Sequence, residues 1–374
     1  MEHNPIRVLH VIGHMDRGGA ETMIMNIYRH IDRTRVQFDF VENSPNRAAY
    51  DDEILSLGGR IYRCPHYIGK NHFTYQRWWD HFFRDHGSDY AIVHGHLGST
   101  AAIYLSAAKK HGIFTIAHSH NTNGKGFWNK VYQAYAYPTR KIADFFFACS
   151  LDAGRDRFGK SITENTAKFC VLNNAIDAEA FSYDVEKRRR IRTQFGLEDS
   201  VVFGHIGRFF EQKNHAFLID IFSEISKQCE NAKLMLVGDG ELKEQISRKV
   251  LDKGLKDKVI FTGVQEDVVP FYQAMDVFLF PSLYEGLGMV AVEAQATGLP
   301  CIISDKVSRE CILVDELVSV CSLEDEPSVW AKCAISHIPA NRHDYTDIIT
   351  AKGYNVRQTA KWLADFYCEK ANRS

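Results

Sequence analysis

Long apolar runs are missing from this 374-residue chain: none approaches the roughly 18–20 residues that a membrane-spanning helix needs. The N-terminus passes at once into a strand-like run, with no apolar h-region of a secretory signal. Cysteine pairing signals are missing too. The nine cysteines are an odd set without any C-x-x-C, and the closest, Cys301, Cys311 and Cys321, are ten residues apart. Cys149 in FFFACS and Cys301 in LPCIIS sit in apolar runs, the usage of buried free thiols in a reducing cytoplasm and not of a disulfide framework. There is no D-x-D or similar carboxylate cluster to clamp a divalent cation, no low-complexity linker and no repeat of fixed period. A net charge of −2 gives no footing for a nucleic-acid partner.

What is present is a long, ordinary globular composition: 45% hydrophobic and 25% charged. The length exceeds one usual core and fits two α/β domains. Short apolar runs alternate with helical stretches. In the first half the runs are Arg7–Ile12, Gln37–Val41, Gly59–Arg63, Tyr90–His94, Phe114–Ala117, Phe145–Ser150 and Phe169–Leu172. The second half repeats the theme with Val201–Ile206, Lys233–Val237, Lys258–Thr262, Val277–Phe280, Pro300–Ser304 and Leu317–Val320. Their apolarity is continuous, not alternating, which predicts strands buried on both faces and so parallel sheets with helices on each side. The break falls at Asn173–Phe181, giving domains over 1–175 and 176–354. Asp184–Arg192 reads as a charged, solvated helix, and 355–374 as a terminal helix. Residues 1–175 hold 21 Lys+Arg against 16 Asp+Glu, and 13 of the 17 histidines; this half suits an anionic surface or acceptor.

Four loops stand where open α/β sheets bind ligands, at the carboxyl ends of strands. Gly13–Glu21, with Gly18 and Gly19 paired, leads from strand one into a helix over Thr22–Ile31. It serves equally as a tight turn or as a site where backbone N–H groups meet a phosphate or a sugar hydroxyl. Gly207-Arg208 and Lys213-Asn214 follow the first strand of the second half; a guanidinium fork and an ammonium can converge on a diphosphate, or form an exposed basic loop. Gly238-Asp239-Gly240 is a turn that lets the chain pass near a bound nucleotide. Glu285-Gly286-Leu287-Gly288-Met289 runs into a helix that carries Glu293 two turns later; its amides suit phosphates, and its two carboxylates suit the hydroxyls of a hexose and a ribose. Gly286, Gly288 and Ala291 also match G-x-G-x-x-A, but this is a late strand and the turn stands well clear of it, against a dinucleotide fingerprint. His94-Gly-His96 and His118-Ser-His120 are H-x-H pairs; without a neighbouring cysteine or acidic cluster they do not predict a metal site. His118, ending its strand, reads either as a residue beside the reacting centre or as a buried structural histidine.

Taken together the motifs resemble glycosyltransferase family 4 of the GT-B superfamily, and the similarity spans essentially the whole chain. It is most specific in DVFLFPSLYEGLGMVAVEAQATGLPCIISD, the E-x7-E region, with support from HVIGHMDRGGAETMIMNIYRHID and GRFFEQKNHAFLIDIF. AHSHNT and FFFACSLDAG are similar to segments of bacterial exopolysaccharide and capsule glycosyltransferases. The resemblance implies an α/β GT-B fold, two Rossmann-like domains with parallel sheets facing a central cleft. The acceptor would lie on the first domain and the donor on the second, with the terminal helix returning to the first. It implies retention of anomeric configuration without a metal or other cofactor. The donor would be a nucleotide-diphosphate sugar, UDP-linked, and the acceptor a glycan or lipid-linked glycan. Arg208 and Lys213 would contact the diphosphate, Glu285 the donor sugar, the amides of Leu287–Met289 the phosphates and Glu293 the ribose. Gly18 and Gly19 would line the cleft, and His118 would lie beside the reacting sugar. Asn174-Ala175 departs from the Asn-Gly of many relatives, a change confined to the hinge backbone. A nucleotide-sugar epimerase and a non-catalytic sugar-nucleotide-binding subunit are the alternatives of other classes. Residues 109–168 hold ten Lys+Arg against four Asp+Glu, interleaved with Phe127, Trp128, Tyr132, Tyr135 and Tyr137. This pattern suits peripheral contact with an anionic membrane, the cytoplasmic leaflet.

Overall fold

The structure, a computed structural model, describes residues 4–120, 135–338 and 342–372. The chain divides into two compact units, one of 1–176 with 353–374 and one of 177–352. Unit 1 holds seven strands: β1 Ile6–Ile12, β2 Val36–Glu42, β3 Ile61–Arg63, β4 Ile92–Gly95, β5 Phe114–Ser119, β6 Phe145–Ala148 and β7 Phe169–Val171. Unit 2 holds six: β8 Val201–Ile206, β9 Ala232–Val237, β10 Val259–Gly263, β11 Val277–Phe280, β12 Cys301–Ser304 and β13 Val318–Cys321.

Every pairing between these strands is parallel. The orders are β3-β2-β1-β4-β5-β6-β7 and β10-β9-β8-β11-β12-β13. Both are doubly wound: the chain steps outward from the first strand of a unit, returns to its other side and steps outward again. The reversal points, β1/β4 and β8/β11, leave a crevice at the carboxyl ends of the strands where successive loops diverge. Continuous apolar runs become strands because both faces are covered. Val8, Leu9 and Val11 of β1, and all of Val277–Phe280 in β11, are inaccessible to solvent.

In unit 1 the helix Val356–Ala371 packs on the face of the sheet that also receives the helix Gly19–His30. Leu363, Ala364, Phe366 and Tyr367 share one core with Ile24, Tyr28, Phe38 and Phe147. The helix after β1 starts at Gly19, three residues before the periodicity places it, because Gly18 is its N-cap in extended conformation. The helix Val185–Gln194 meets the expectation of a solvated element on one face, where Val185, Glu186, Arg189 and Arg190 are exposed, but not on the other. Its Arg188 and Arg192 turn inward onto Asp276, at 2.5 and 3.2 Å, and Arg192 is 8% exposed. Both guanidiniums also donate to the Ala274 carbonyl at the end of the helix Val269–Ala274, so they close a helix C-terminus instead of facing water. All nine cysteines are free thiols.

Candidate active site

Unit 2 gathers its predicted residues at the β8/β11 reversal. The loop after β8 turns through the short helix Glu211–Lys213 to Asn214, which adopts the left-handed conformation (φ 53°). Asparagine tolerates that region better than most side chains, and the helix His215–Gln228 starts there. The loop after β11 lies alongside: Leu283 N–H donates to the Gln212 carbonyl (2.8 Å), and Gln212 Nε2 donates to the Tyr284 carbonyl (2.9 Å). These bonds place Lys213 Nζ 2.7 Å from Glu285 Oε1, while Gln212 Nε2 donates to Glu285 Oε2 at 3.2 Å. Lys213 also lies 5.2 Å from the centroid of the Phe280 ring. The ammonium and the carboxylate, expected on separate parts of a donor, are thus held against each other with both side chains largely covered (17% and 8% exposed). Arg208 is different. It is exposed and stacks at 4.3 Å over Phe210, and among the described residues no carboxylate pairs with it. That leaves a planar five-donor fork open to a phosphate.

Backbone geometry explains the glycines. Gly238 has φ +134°, and a Cβ there would overlap the Gly207 carbonyl oxygen, so the turns after β8 and β9 touch only because position 238 is glycine. Gly288 is the left-handed N-cap (φ 83°) of the helix Met289–Ala296, packed against Phe280 and Val307. Gly286 lies in the bend ahead of it and Leu287 is buried. The first-turn N–H groups from Met289 onward form the positive end of that helix. On its next turns Glu293 is part-buried and accepts from the Tyr272 hydroxyl at 2.8 Å. Burial pushes its carboxyl up to about 7; the Tyr272 bond and the charge of Lys213 pull the other way.

Unit 1 places His118 in a cluster that single motifs do not reveal. The register sets His10 of β1 beside His94 of β4 and carries β4 into β5 so that His96 neighbours His118. Five imidazoles, with His120 the fifth, stack in one ladder: ring centroids are 5.2 Å apart for His10–His94, 5.2 Å for His94–His118 and 4.1 Å for His118–His120. Two hydrogen-bonded chains run through it. One is Tyr367 Oη–His94 Nδ1 (2.6 Å) and His94 Nε2–His118 Nδ1 (3.2 Å). The other is His10 Nδ1–His96 Nε2 (2.9 Å) and His96 Nδ1–His120 Nε2 (2.7 Å). Tyr367 is fully buried, and among the described residues His94 is the one acceptor within reach of its hydroxyl; if that hydroxyl donates, His94 carries its proton on Nε2 and His118 receives it at Nδ1. His118 therefore keeps its own proton on Nε2. That atom, His10 Nε2 and His120 Nδ1 are buried without partners. Burial holds all five rings neutral: His10 falls to about 3, His120 to about 4, and His94, His96 and His118 well below the usual imidazole range. His118 is only 4% exposed.

At the start of unit 1, the Glu21 carboxylate folds back into the space a Cβ would take at Gly18, while a Cβ at Gly19 would meet nothing. Beside this loop lies a network that the sequence does not announce. Glu42, fully buried at the end of β2, accepts from Met15 N–H (3.1 Å), faces His14 Nδ1 (3.0 Å) and pairs with Arg63 Nη1 (2.5 Å), which closes β3. Arg63 also pairs with Asp51. The available signal is that Glu42 and Arg63 each end a strand in neighbouring positions.

The basic segment is less open than its composition suggests. Lys125, Lys130, Phe127, Trp128 and Tyr132 lie outside the described residues. Lys109 pairs with Asp144 (2.6 Å), Lys110 with Asp80 (3.6 Å) and Lys160 with Glu164 (3.6 Å), and Arg157 is buried. Tyr135 and Tyr137 are exposed, as are Ile68 and Phe73 on the same unit. Among the described residues no helix is long and apolar enough to cross a membrane.

Two sheets of this winding, with basic and glycine-rich loops at one reversal point, match known proteins along the chain. Residues 17–180 match the model of Glycosyltransferase Family 4, and residues 187–320 that of Glycosyl transferases group 1. EpsF of Bacillus subtilis (strain 168), named as a glycosyltransferase, is 36% identical over 376 residues, covering 98% of this chain and 97% of that one. The capsular polysaccharide biosynthesis glycosyltransferase CapH of Staphylococcus aureus is 23% identical over 98% of this chain and 99% of its own. Among solved structures, Anabaena HepE in complex with UDP superposes with a TM-score of 0.74 at 17% identity, covering 98% of both chains. The two family matches, one ending at residue 180 and the other starting at 187, and the full-length relatives make this chain a member of glycosyltransferase family 4, with the two Rossmann-like parallel sheets of the GT-B fold.

Proposed function

We propose that the protein transfers a sugar, with retention of configuration and without a metal, from a UDP-linked donor to a glycan or lipid-linked acceptor in the synthesis of an exopolysaccharide, capsule or other cell-surface glycan. The observation that carries this reading is the arrangement at β8/β11: an exposed Arg208 guanidinium with no carboxylate partner among the described residues, the Lys213–Glu285 pair and the Gly288-capped helix, all on loops at one reversal point. The known complexes of HepE with UDP and with UDP-glucose support a nucleotide sugar as donor, and the names of EpsF and CapH support a place in polysaccharide synthesis.

In this mechanism the bond between the anomeric carbon and the β-phosphate oxygen breaks first. Charge gathers on the diphosphate, where Arg208, Lys213 and the amides of Leu287–Met289 stabilise it. The acceptor hydroxyl attacks on the face the diphosphate leaves, and its proton passes to a phosphate oxygen, so no carboxylate nucleophile is needed. Glu285, relieved of part of its pairing as Lys213 turns to the phosphate, accepts from donor-sugar hydroxyls, and Glu293 accepts from the ribose. His118 offers its Nε2–H to the reacting sugar. Lipid-linked acceptors place the work at the cytoplasmic face of the membrane.

Two measurements test this. A panel of nucleotide sugars scored by thermal shift should pick out UDP-linked members, since ligand at about 100 times its Kd stabilises by about 2.7 kcal/mol. Transfer should survive dialysis against EDTA; loss restored by Mg2+ or Mn2+ would show that basic residues do not carry the phosphate charge. Release of a new sugar nucleotide in the absence of acceptor would favour an epimerase instead.

A further inference from the structure

The histidine ladder contains more ligating capacity than glycosyl transfer uses. His96, His118 and His120 each offer one ring nitrogen, and the three atoms all lie within 4.8 Å of one another. Two of the rings, His118 and His120, bring a buried nitrogen with no partner, His118 Nε2 and His120 Nδ1. A polar nitrogen left buried and unpaired is destabilising, and two on adjacent rings mark a place where an occupant would be stabilising. Among the described residues no carboxylate, lysine or arginine is hydrogen-bonded to any of the five rings, so the donor set there is nitrogen alone.

We propose that His96, His118 and His120 form a binding site for a divalent transition-metal ion of borderline softness, Zn2+ in the first instance. Three neutral imidazoles with a fourth position left to water are a recurrent zinc ligand set. Imidazole nitrogen also suits Co2+, Ni2+ and Cu2+, whereas Mg2+ and Ca2+ demand oxygen ligands. Zn–N bonds of about 2.0–2.1 Å require the three nitrogens to stand roughly 3.4 Å apart, so the site forms by rings turning about their side-chain torsions, from stacked to convergent. His118 binds through Nε2 once its proton has moved to Nδ1, which then donates to His94 Nε2 while His94 Nδ1–H turns to the Tyr367 oxygen, so no proton is lost. In the His96–His120 bond one ring donates and the other accepts; it is given up, and each ring keeps its single proton on the nitrogen that faces away from the metal. His94 and His10 remain behind the ligands as hydrogen-bonding neighbours. The two H-x-H motifs are thereby one feature: neighbouring strands in register place their second histidines on a shared rim. Because His118 is also the ring assigned to the reacting sugar, occupancy withdraws it from transfer. Zn2+ is then an inhibitor of an enzyme that needs no metal, and this consequence rests on the functional reading above while the binding itself does not.

The test uses the full chain, stripped with EDTA and dialysed. Calorimetric titration with ZnCl2 should show one site per chain, unaffected by excess Mg2+. Titration with CoCl2 should give the intense visible absorption bands of tetrahedral cobalt. His120→Ala should lose the bands and weaken Zn2+ at least tenfold, and His66→Ala, an exposed histidine elsewhere on the unit, should leave both intact. Absence of a stoichiometric site in the wild-type chain, octahedral cobalt, or unchanged affinity in His120→Ala would each overturn the proposal. The cobalt spectrum of the wild type decides the matter even where the variant does not fold. Transfer assayed with and without Zn2+ separates the two readings: inhibition in the wild type that His120→Ala relieves supports the site and the role of His118. Stoichiometric binding that leaves transfer untouched supports the site and removes His118 from the reaction.

Discussion

Glu293 offers the sharpest quantitative test of the donor site. Its carboxyl is pushed up to about 7 from an ordinary 4.5 by burial, despite the Tyr272 hydroxyl at 2.8 Å and the nearby Lys213 charge. An acid whose pKa is raised on folding contributes stability that is fully present below its unfolded pKa and is lost as pH rises through the folded value. The window is therefore about pH 4.5 to 7, and by pH 8 the full penalty applies. A shift of about 2.5 units corresponds to roughly 3 kcal/mol. Glu293→Gln keeps the shape, removes the charge and weakens the Tyr272 bond by about 1 kcal/mol. The variant should thus be slightly less stable than wild type at pH 5 and more stable, by up to about 2 kcal/mol, at pH 8. Thermal unfolding of both proteins across that range reads the crossing directly. Ligand binding supplies an independent reading. If ribose hydroxyls donate to the ionised carboxylate, UDP selects the form that is about one-tenth populated at pH 6 and about nine-tenths at pH 8, so affinity rises about tenfold over those two units. Glu293→Gln should lack this rise, and the difference between the two proteins cancels the titration of UDP's own phosphate. Stability curves that stay parallel from pH 5 to 8 would refute the buried, raised carboxyl. A crossing without any pH-dependent gain in UDP affinity would refute only its contact with the ribose.

Arg208→Ala should weaken UDP binding about ten- to a hundredfold, the loss of one charge-assisted contact, with stability lowered by no more than about 1 kcal/mol, since among the described residues the guanidinium has no ion pair and loses its stacking on Phe210; equal affinity by calorimetry would remove Arg208 from the site. Lys213→Ala should weaken UDP similarly but also destabilise by about 3–5 kcal/mol, since it leaves the largely covered Glu285 carboxylate unpaired, and the double substitution with Glu285→Gln should recover much of that stability without recovering affinity. His118→Ala should lower kcat for transfer far more than it raises the Kd for UDP; a loss of activity that only tracks a loss of folding would make the ring structural. Cosedimentation with anionic liposomes at low salt should pellet the protein in a salt-sensitive way, and replacing exposed Phe73 and Tyr137 with serine should reduce the pelleted fraction. Equal behaviour with neutral vesicles would end the case for an anionic membrane surface.

All thirteen strands of the described residues coincide within two residues or so with runs visible in the sequence, and the reason is physical. Parallel strands covered on both faces must be apolar along their length, so the pattern is written locally. The winding came only with the family resemblance, because strands alternating with helices narrow the right-handed arrangements to a few without choosing one. Partnership was not legible. Arg188 and Arg192 belong to a run of charge that ordinarily faces water, and their acceptor Asp276 lies 84–88 residues away. Lys213 and Glu285 were each assigned a piece of the donor, and only the adjacency of β8 and β11 shows that they hold one another, 72 residues apart. The same holds for Tyr272 on Glu293.

The histidines make the point most strongly, because there the residues were seen and their relation was not. Two H-x-H pairs at successive strand ends look like separate weak signals, each short of a third ligand. Sheet order supplies it. Placing β4 between β1 and β5 brings His10, His94 and His118 onto one face in a row, and a period of two carries His96 and His120 onto the same face one step beyond. A helix from the far end of the chain then buries Tyr367 against His94 and fixes the direction of its hydrogen bond. The protonation of a residue at position 118 thus depends on one at 367, through a contact that no local pattern encodes. The carboxyl end of a doubly wound sheet concentrates chemistry because it is where residues distant in the chain meet with their side chains already aligned. In this protein that geometry has assembled, at one reversal point, cations and amides of the kind that suit an anion and, at the other, a rim of histidine nitrogens.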